Sequence, residues 1–169
     1  NNRDGEAVDT GIIFPKGLTI YGRWTSVTPS AASTTGGIIC LDQTTQKFLL
    51  MKSRWNEQMW SFPKGYVNKN EEVIDAALRE LYEESQISLS KDDLLEKTYI
   101  LRVKLPKPTK KISSGIKVIK FWVAYLSENT KIILSREHSK YMWTSDLENL
   151  NIIDEFTELS KEIKNDLLS

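Results

Sequence analysis

The stretch from residue 65 to residue 87 reads GYVNKNEEVIDAALRELYEESQI, and its pattern determines the fold expected around it. Apolar residues recur at helical spacing in its second half, which predicts a helix from about Glu72 to Ser85. Glu80, Glu83 and Glu84 then fall on one helix face, within an arc of roughly 100°. Like charges this close repel one another, and a divalent cation would offset the repulsion.

Two further residues of this stretch can act on the carboxylates. Arg79 stands four residues before Glu83, which is the spacing of a helical ion pair, and could hold that carboxylate in one rotamer. Glu71 precedes the helix and could cap its first turn or reach Arg79. Three glutamates alone are more often a solvated face, but Gly65 and Glu71 at fixed spacing upstream favour a metal site.

Outward from this stretch, the chain mixes strands and helices. Short apolar or alternating segments predict strands at 36–41, 47–52, 60–62, 99–103, 117–125, 131–134 and 141–143, and an amphipathic pattern predicts a helix at 153–168. This mixture predicts an α/β sandwich with a mixed sheet between helices. Residues 1–35 are rich in Gly, Ser, Thr and Pro and are predicted to form a partly ordered N-terminal arm before one domain at 36–169.

Composition limits the class of protein. The 169 residues suit one domain with a sizeable core. No apolar run approaches membrane-spanning length and no signal pattern opens the sequence, so we expect a cytoplasmic protein with no membrane partner. The single Cys40 lies in an apolar run, agrees with a reducing compartment and is expected to be a buried, inert thiol. The 23 basic and 23 acidic residues cancel, which argues against a nucleic-acid partner.

The stretch resembles the signature of the Nudix hydrolase family: Gly, five residues, Glu, seven residues, then Arg-Glu-aliphatic-any-Glu-Glu-any-Gly-aliphatic. The residues that match in register are Gly65, Glu71, Arg79, Glu80, Leu81, Glu83, Glu84 and Ile87. Gln86 stands where the family has a glycine, which closes the helix in a left-handed conformation, and a non-glycine residue there costs about 1 kcal/mol. The resemblance implies a Nudix α/β/α sandwich with a mixed central sheet and a loop-helix-loop metal site.

The resemblance also implies roles for these residues. Glu80, Glu83 and Glu84 would be ligands of Mg²⁺, with Mn²⁺ as an alternative, while Arg79 would hold a carboxylate in place. Gly65 would let its backbone approach the metal or a phosphate closely. The base that activates water would be Glu80 or a glutamate outside the signature.

Three further segments are similar to asymmetric diadenosine tetraphosphate hydrolases. Residues 60–65, WSFPKG, resemble their WxxPKG element and also the FPKG element of mRNA-decapping and diphosphoinositol polyphosphate enzymes, which implies a phosphate contact for Lys64. Residues 117–125 resemble a strand with a polyphosphate-binding lysine, here Lys117. Residues 134–143 resemble the closing L-S-x-E-H…Y-x-W segment, in which Glu137 would assist metal or water.

The base clamp of those enzymes has no direct counterpart in this chain. They favour histidine at the positions of Met59 and Tyr66, and their tyrosine upstream of the strand lysine has no clear equivalent. Stacking by Tyr66, Trp60 or Tyr141 could replace the missing clamp.

The resemblance therefore implies Mg²⁺-dependent hydrolysis of a small nucleotide substrate, diadenosine tetraphosphate, to ATP and AMP. A diphosphoinositol polyphosphate phosphohydrolase and an mRNA-decapping enzyme are the alternatives within the family. A scaffold that binds nucleotide or RNA without hydrolysis is the alternative of a different class. Such scaffolds usually lose the signature glutamates, which this chain keeps.

Overall fold

The structure is a computed structural model that describes residues 19–21, 34–55 and 58–169. Its elements are β1 (Thr19–Tyr21), β2 (Thr34–Asp42), β3 (Lys47–Ser53), β4 (Trp60–Ser61), β5 (Lys64–Tyr66), α1 (Val73–Ser85), β6 (Leu94–Lys104), β7 (Ile116–Tyr125), β8 (His138–Thr144) and α2 (Asp154–Leu167). Most of the predicted arm at 1–35 lies outside the described residues and stays a prediction. No helix within the described ranges is long and apolar enough to cross a membrane.

The described strands form one mixed sheet. Its main path runs β1-β6-β7-β2-β3-β4, while β5 pairs with β2 and β8 pairs with β3. The β1/β6 and β2/β7 pairs are parallel, whereas the other pairs are antiparallel. The predicted mixed sheet is therefore confirmed.

The two helices cover opposite faces of this sheet. Alternate residues of β2 point to opposite sides of the sheet and therefore pack against different helices. Ile39 and Leu41 belong to the core under α2, while Ile38 and Cys40 belong to the core under α1. Since both faces are covered, β2 is buried along its whole length and reads as a continuous apolar run. The α/β/α sandwich is confirmed. Burial raises the pKa of the Cys40 thiol to about 12, as expected of an inert thiol.

Helix α1 lies directly on β2, which positions its carboxylates. A Cβ atom at Gly36 would stand 2.5 Å from the carbonyl oxygen of Val73 and 3.0 Å from the amide nitrogen of Ala77. The helix ends at Gln86, which has φ 61° and ψ 15° and donates its amide to the carbonyl of Tyr82. The left-handed conformation expected at this position is therefore confirmed.

One predicted strand is wrong. Residues 131–134 form no strand, because this segment runs along the end of α1 instead of joining the sheet. The amide of Ile133 donates to the carbonyl of Ser85 at 3.0 Å, and the amide of Ser135 donates to that of Glu84 at 3.2 Å. These bonds satisfy the last carbonyls of α1 and direct the chain toward the carboxylates.

Candidate active site

A cleft of about 1090 Å³ is bounded by residues of α1, β5, β7 and the segment before β8. Its walls hold two sets of charged side chains. The acidic set is Glu80, Glu83, Glu84, Glu137 and Glu155, and the basic set is Lys64, Lys104, Lys111, Lys117 and Arg136. Opposite charges in one cleft suit a polyanion that binds together with a cation.

Most of the predicted site residues line this cleft, with two exceptions. Arg79 lies behind the wall, in contact with Glu80. Tyr141 is exposed and does not line the cleft. Trp60 does line the cleft but is only 9% exposed and belongs to the core.

Arg79 is the centre of a network that fixes the carboxylates. Its Nε and Nη2 donate to the two oxygens of Glu71 at 2.8 and 2.9 Å. Its Nη1 reaches Glu80 at 2.7 Å and Glu83 at 3.2 Å, and Nη2 also donates to the carbonyl of Tyr66 at 2.9 Å. The pair with Glu83 predicted from spacing is present. One planar guanidinium thus orients three carboxylates at once.

Glu80 lies against the backbone of Gly65. A Cβ atom at Gly65 would stand 1.9 Å from Cδ of Glu80 and 2.2 and 2.3 Å from its two oxygens, so this position requires a glycine. Burial raises the pKa of Glu80, although Arg79 acts in the opposite direction. In the structure, the group that lies close to Gly65 is the carboxylate of Glu80. The role of Gly65 toward a metal stays a prediction.

Glu84 is the most buried carboxylate of the cleft, with 8% of its side chain exposed. Its Oε2 accepts the backbone amide of Lys64 at 3.1 Å, and its Oε1 lies 3.8 Å from Nε2 of His138. Burial raises the pKa of Glu84 to about 8, against the effect of Lys64, and Glu80 and Glu137 add to the rise. The positive charge of Lys64 therefore does not offset the cost of burying a charged carboxylate at this position.

The basic wall is also desolvated. Burial lowers the pKa of Lys64, and burial together with Lys64 lowers that of Lys117 to about 7. The Nζ atoms of Lys117 and Lys111 lie 4.8 and 4.6 Å from the centroid of the Tyr66 ring, in cation–π contact. A bound polyanion would favour the charged form of such lysines, so this wall suits phosphate groups.

Glu137 is an exposed residue of the segment before β8, and it lines the cleft. Its backbone carbonyl accepts the amide of Arg54 at 2.8 Å, and Nε of Arg54 donates to the carbonyl of Arg136 at 3.0 Å. The following His138 is buried, which lowers its pKa, and its Nδ1 lies 3.4 Å from Oγ of Ser135. A buried neutral histidine agrees with the structural role expected of it.

Lys111 and Trp55 are among the cleft residues that were not predicted as site residues. Lys111 comes from the loop between β6 and β7 and meets Tyr66 only in the folded chain. Its signal was the basic composition of that loop. Trp55, between β3 and β4, lines the cleft with 67% of its surface exposed. No local pattern in the sequence distinguishes it from an ordinary core tryptophan.

The donor atoms of the cleft fit a hard divalent cation. Carboxylate oxygens are the ligands that Mg²⁺ and Mn²⁺ prefer, and the raised pKa values of Glu80 and Glu84 indicate that positive charge would stabilise them. Within residues 34–55 and 58–169, no group of three Asp, Glu, His or Cys side chains is arranged to hold a metal by itself. Mg²⁺ often uses one or two carboxylates and completes its shell with substrate phosphates, so a cation bound together with phosphate fits this arrangement.

The chain is similar to known proteins in sequence and in fold. The family model of the NUDIX domain matches residues 32–162. The chain is similar to the asymmetrical bis(5'-nucleosyl)-tetraphosphatase of Mus musculus, with 30% identity over 127 residues that cover 73% of this chain and 80% of that protein. It is also similar to the mRNA-decapping enzyme subunit 2 of Arabidopsis thaliana, with 44% identity over 55 residues that cover 32% of this chain and 14% of that protein.

Among solved structures, the chain is similar to an Ap4A hydrolase of C. elegans in a binary complex. The TM-score is 0.63 at 24% sequence identity, and the match covers 79% of this chain and 97% of that chain. At this identity the likeness supports the fold alone.

Proposed function

The chain belongs to the Nudix family of pyrophosphohydrolases, and from this premise we propose that it hydrolyses diadenosine tetraphosphate to ATP and AMP with Mg²⁺, or Mn²⁺, as its cofactor. One observation carries the proposal: a single cleft of about 1090 Å³ combines desolvated carboxylates with a wall of lysines. A chain of four phosphates needs both, because the cation serves the reacting phosphate and the lysines neutralise the others. The similarity to a tetraphosphatase over 127 residues supports this substrate.

The carboxylates have distinct parts in this proposal. Glu80, Glu83 and Glu84 would hold the cation, and Arg79 would keep the first two in position. When bound, the cation would polarise the phosphate and make hydroxide available near neutral pH. The attacking water would give its proton to Glu80 or Glu137, both of which line the cleft.

The lysines would bind the phosphates that do not react. Lys64 lies two residues after Phe62, whose ring packs edge to face on Phe121 at 5.8 Å and on Phe156 at 5.4 Å, so the backbone before Lys64 is anchored in the core. Lys117 lies on β7 and is further placed by the Tyr66 ring. Rigid placement of these ammonium groups limits the entropy lost when phosphates bind.

The other substrates within the family make different demands. The similarity to the decapping enzyme covers only 32% of the chain. An inositol pyrophosphate would bind to the lysine wall, but it has no base that could stack on an aromatic side chain. Both compounds therefore belong in the same assay as diadenosine tetraphosphate.

Product analysis tests the proposal. With Mg²⁺ in ¹⁸O-labelled water, diadenosine tetraphosphate should give ATP and AMP in equal amounts, and the position of the label should identify the phosphorus attacked. Capped RNA and an inositol pyrophosphate serve as parallel substrates and should react more slowly. Two molecules of ADP as products, or brisk release of phosphate from the inositol pyrophosphate with no cleavage of the dinucleotide, would overturn the proposed substrate.

Arg79→Lys tests the network behind the carboxylates. We expect the apparent affinity for Mg²⁺ in this assay to fall by about 10- to 100-fold, because one ammonium group cannot replace the planar fork that contacts Glu71 and Glu80 together. The free energy of unfolding in urea should change by only about 1 kcal/mol, since partly exposed ion pairs contribute little. Lys91→Ala is the control, because it removes an ion pair of 3.1 Å with Asp75 on the same helix. Wild-type Mg²⁺ affinity in Arg79→Lys would exclude the positioning role.

A further inference from the structure

We propose that Trp55 is the side chain on which an adenine of the substrate stacks, an inference that rests on the proposed function. The histidine clamp expected from the resemblance is missing in this chain, and Tyr66, Trp60 and Tyr141 do not offer a free ring in the cleft. The geometry of the cleft points to Trp55 instead.

The other aromatic residues that line the described cleft are already engaged. Trp60 is only 9% exposed, and Nζ of Lys52 lies 5.9 Å from its ring. Phe156 is 2% exposed and packs in the aromatic core. The Tyr66 ring holds two lysines within 5 Å of its centroid. Trp55, at 67% exposure, is the aromatic residue of this cleft with a large open surface.

The backbone amide and carbonyl of Trp55 both make hydrogen bonds. Its amide donates to Oγ of Ser53 at 3.1 Å, and its carbonyl accepts the amide of Gln58 at 3.0 Å. The preceding Arg54 is bonded through its amide to the carbonyl of Glu137. These bonds hold the main chain of Trp55, and a Trp side chain with two χ angles gains contact area on stacking at a low cost in entropy, as in binding sites built from Tyr and Trp.

This attachment places the ring on the same framework as a proposed catalytic group. Trp55 follows Arg54, whose backbone amide bonds to the carbonyl of Glu137. Lys111 and Lys117 both contact the ring of Tyr66. All of these residues except Arg54 line one cleft. The cleft therefore presents an apolar ring surface in addition to its acidic and basic walls. A substrate with a nucleobase attached to a long polyphosphate would use all three, whereas a polyphosphate without a base would leave the indole unused.

The test compares ligands with and without a base. Trp55→Ala should raise KM for diadenosine tetraphosphate and the inhibition constant of ATP by about 5- to 150-fold, the range for loss of one stacked base. The inhibition constant of inorganic tripolyphosphate should stay unchanged, because it has no base. Trp55→Phe should recover most of the loss, since it keeps an aromatic face. Tyr82→Ala is the control, as it removes another exposed aromatic residue that lies on α1 outside the cleft.

The outcomes separate the two proposals. Circular dichroism should show that both Trp55 variants fold, since the side chain is exposed. If the wild type cleaves diadenosine tetraphosphate but Trp55→Ala leaves KM and the ATP constant unchanged, only the stacking role is overturned. Equal weakening of ATP and tripolyphosphate would also overturn that role, because the cleft has then changed shape as a whole. If the wild type does not cleave the dinucleotide, both proposals fall.

Discussion

Glu84→Gln should slow the hydrolysis of diadenosine tetraphosphate by at least about a hundredfold while the protein still folds. Glu84 is the most deeply buried carboxylate of the cleft, and its amide replacement keeps the shape but removes the negative charge that would hold a cation. The amide can still accept the backbone hydrogen bond from Lys64, so the local structure should persist. Steady-state kinetics over a range of Mg²⁺ concentrations measures the loss.

The same variant should be more stable than the wild type without metal, in a manner that depends on pH. The folded-state pKa of Glu84, about 8, lies above the ordinary value of 4.5. Between these values the folded protein holds more protons than the unfolded chain, so this group makes stability fall as pH rises from about 4.5 to about 8. Glutamine does not titrate. The gain in melting temperature should therefore be smallest near pH 4.5 and largest at pH 8 and above.

Glu72→Gln is the matched control, because this glutamate precedes α1 and its side chain is 76% exposed. Its turnover and melting temperature should stay close to those of the wild type. Turnover near the wild-type value in Glu84→Gln would exclude Glu84 from the metal site. A gain in melting temperature that does not grow with pH would contradict the raised pKa.

Gly65→Ala should also reduce activity by about a hundredfold, although it adds a single methyl group. The new Cβ would overlap the carboxyl carbon of Glu80, which would have to leave its place beside Arg79. The end of a glutamate side chain can rotate away, so the fold should lose little stability. Kinetics and urea unfolding of the same preparation distinguish the two effects.

Gly36→Ala provides the contrast. Its Cβ would meet backbone atoms of α1, which cannot rotate away, so this variant should lose stability where Gly65→Ala does not. Equal losses of stability in the two variants would mean that Gly65 serves the fold and not the carboxylate. Full activity in Gly65→Ala would show that Glu80 can move without consequence.

The helix at the centre of the site was predictable because its signals are local. Apolar spacing over 13 residues gave the helix to within one residue at its start, and periodicity alone placed Glu80, Glu83 and Glu84 on one face. The pair of Arg79 with Glu83 followed from the same geometry. The register of the signature also identified the family, and with it the sandwich of a mixed sheet between helices.

Other features depend on contacts between distant segments, and only the tertiary structure decided them. Residues 131–134 look like a strand but bond to the end of α1, and Tyr141, which was predicted to stack on a base, does not line the cleft. In both cases the local sequence pattern is compatible with the prediction, but the position of the segment in the folded chain depends on the distant segments that pack against it.

Two neighbouring residues of α1 show most clearly which properties follow from the sequence and which follow from the tertiary structure. By sequence, Glu83 and Glu84 are adjacent carboxylates on the same face, yet the side chain of Glu83 is 55% exposed and that of Glu84 only 8%. The sequence determined which residues share the face, because that depends on the helical period alone. The folded chain determined which of them is desolvated, because burial requires Lys64 and His138 to arrive from other elements. The same reason explains why Trp60 is 9% exposed and Trp55 is 67% exposed. The residue type is read from the sequence, whereas the exposure of a side chain depends on how the chain packs.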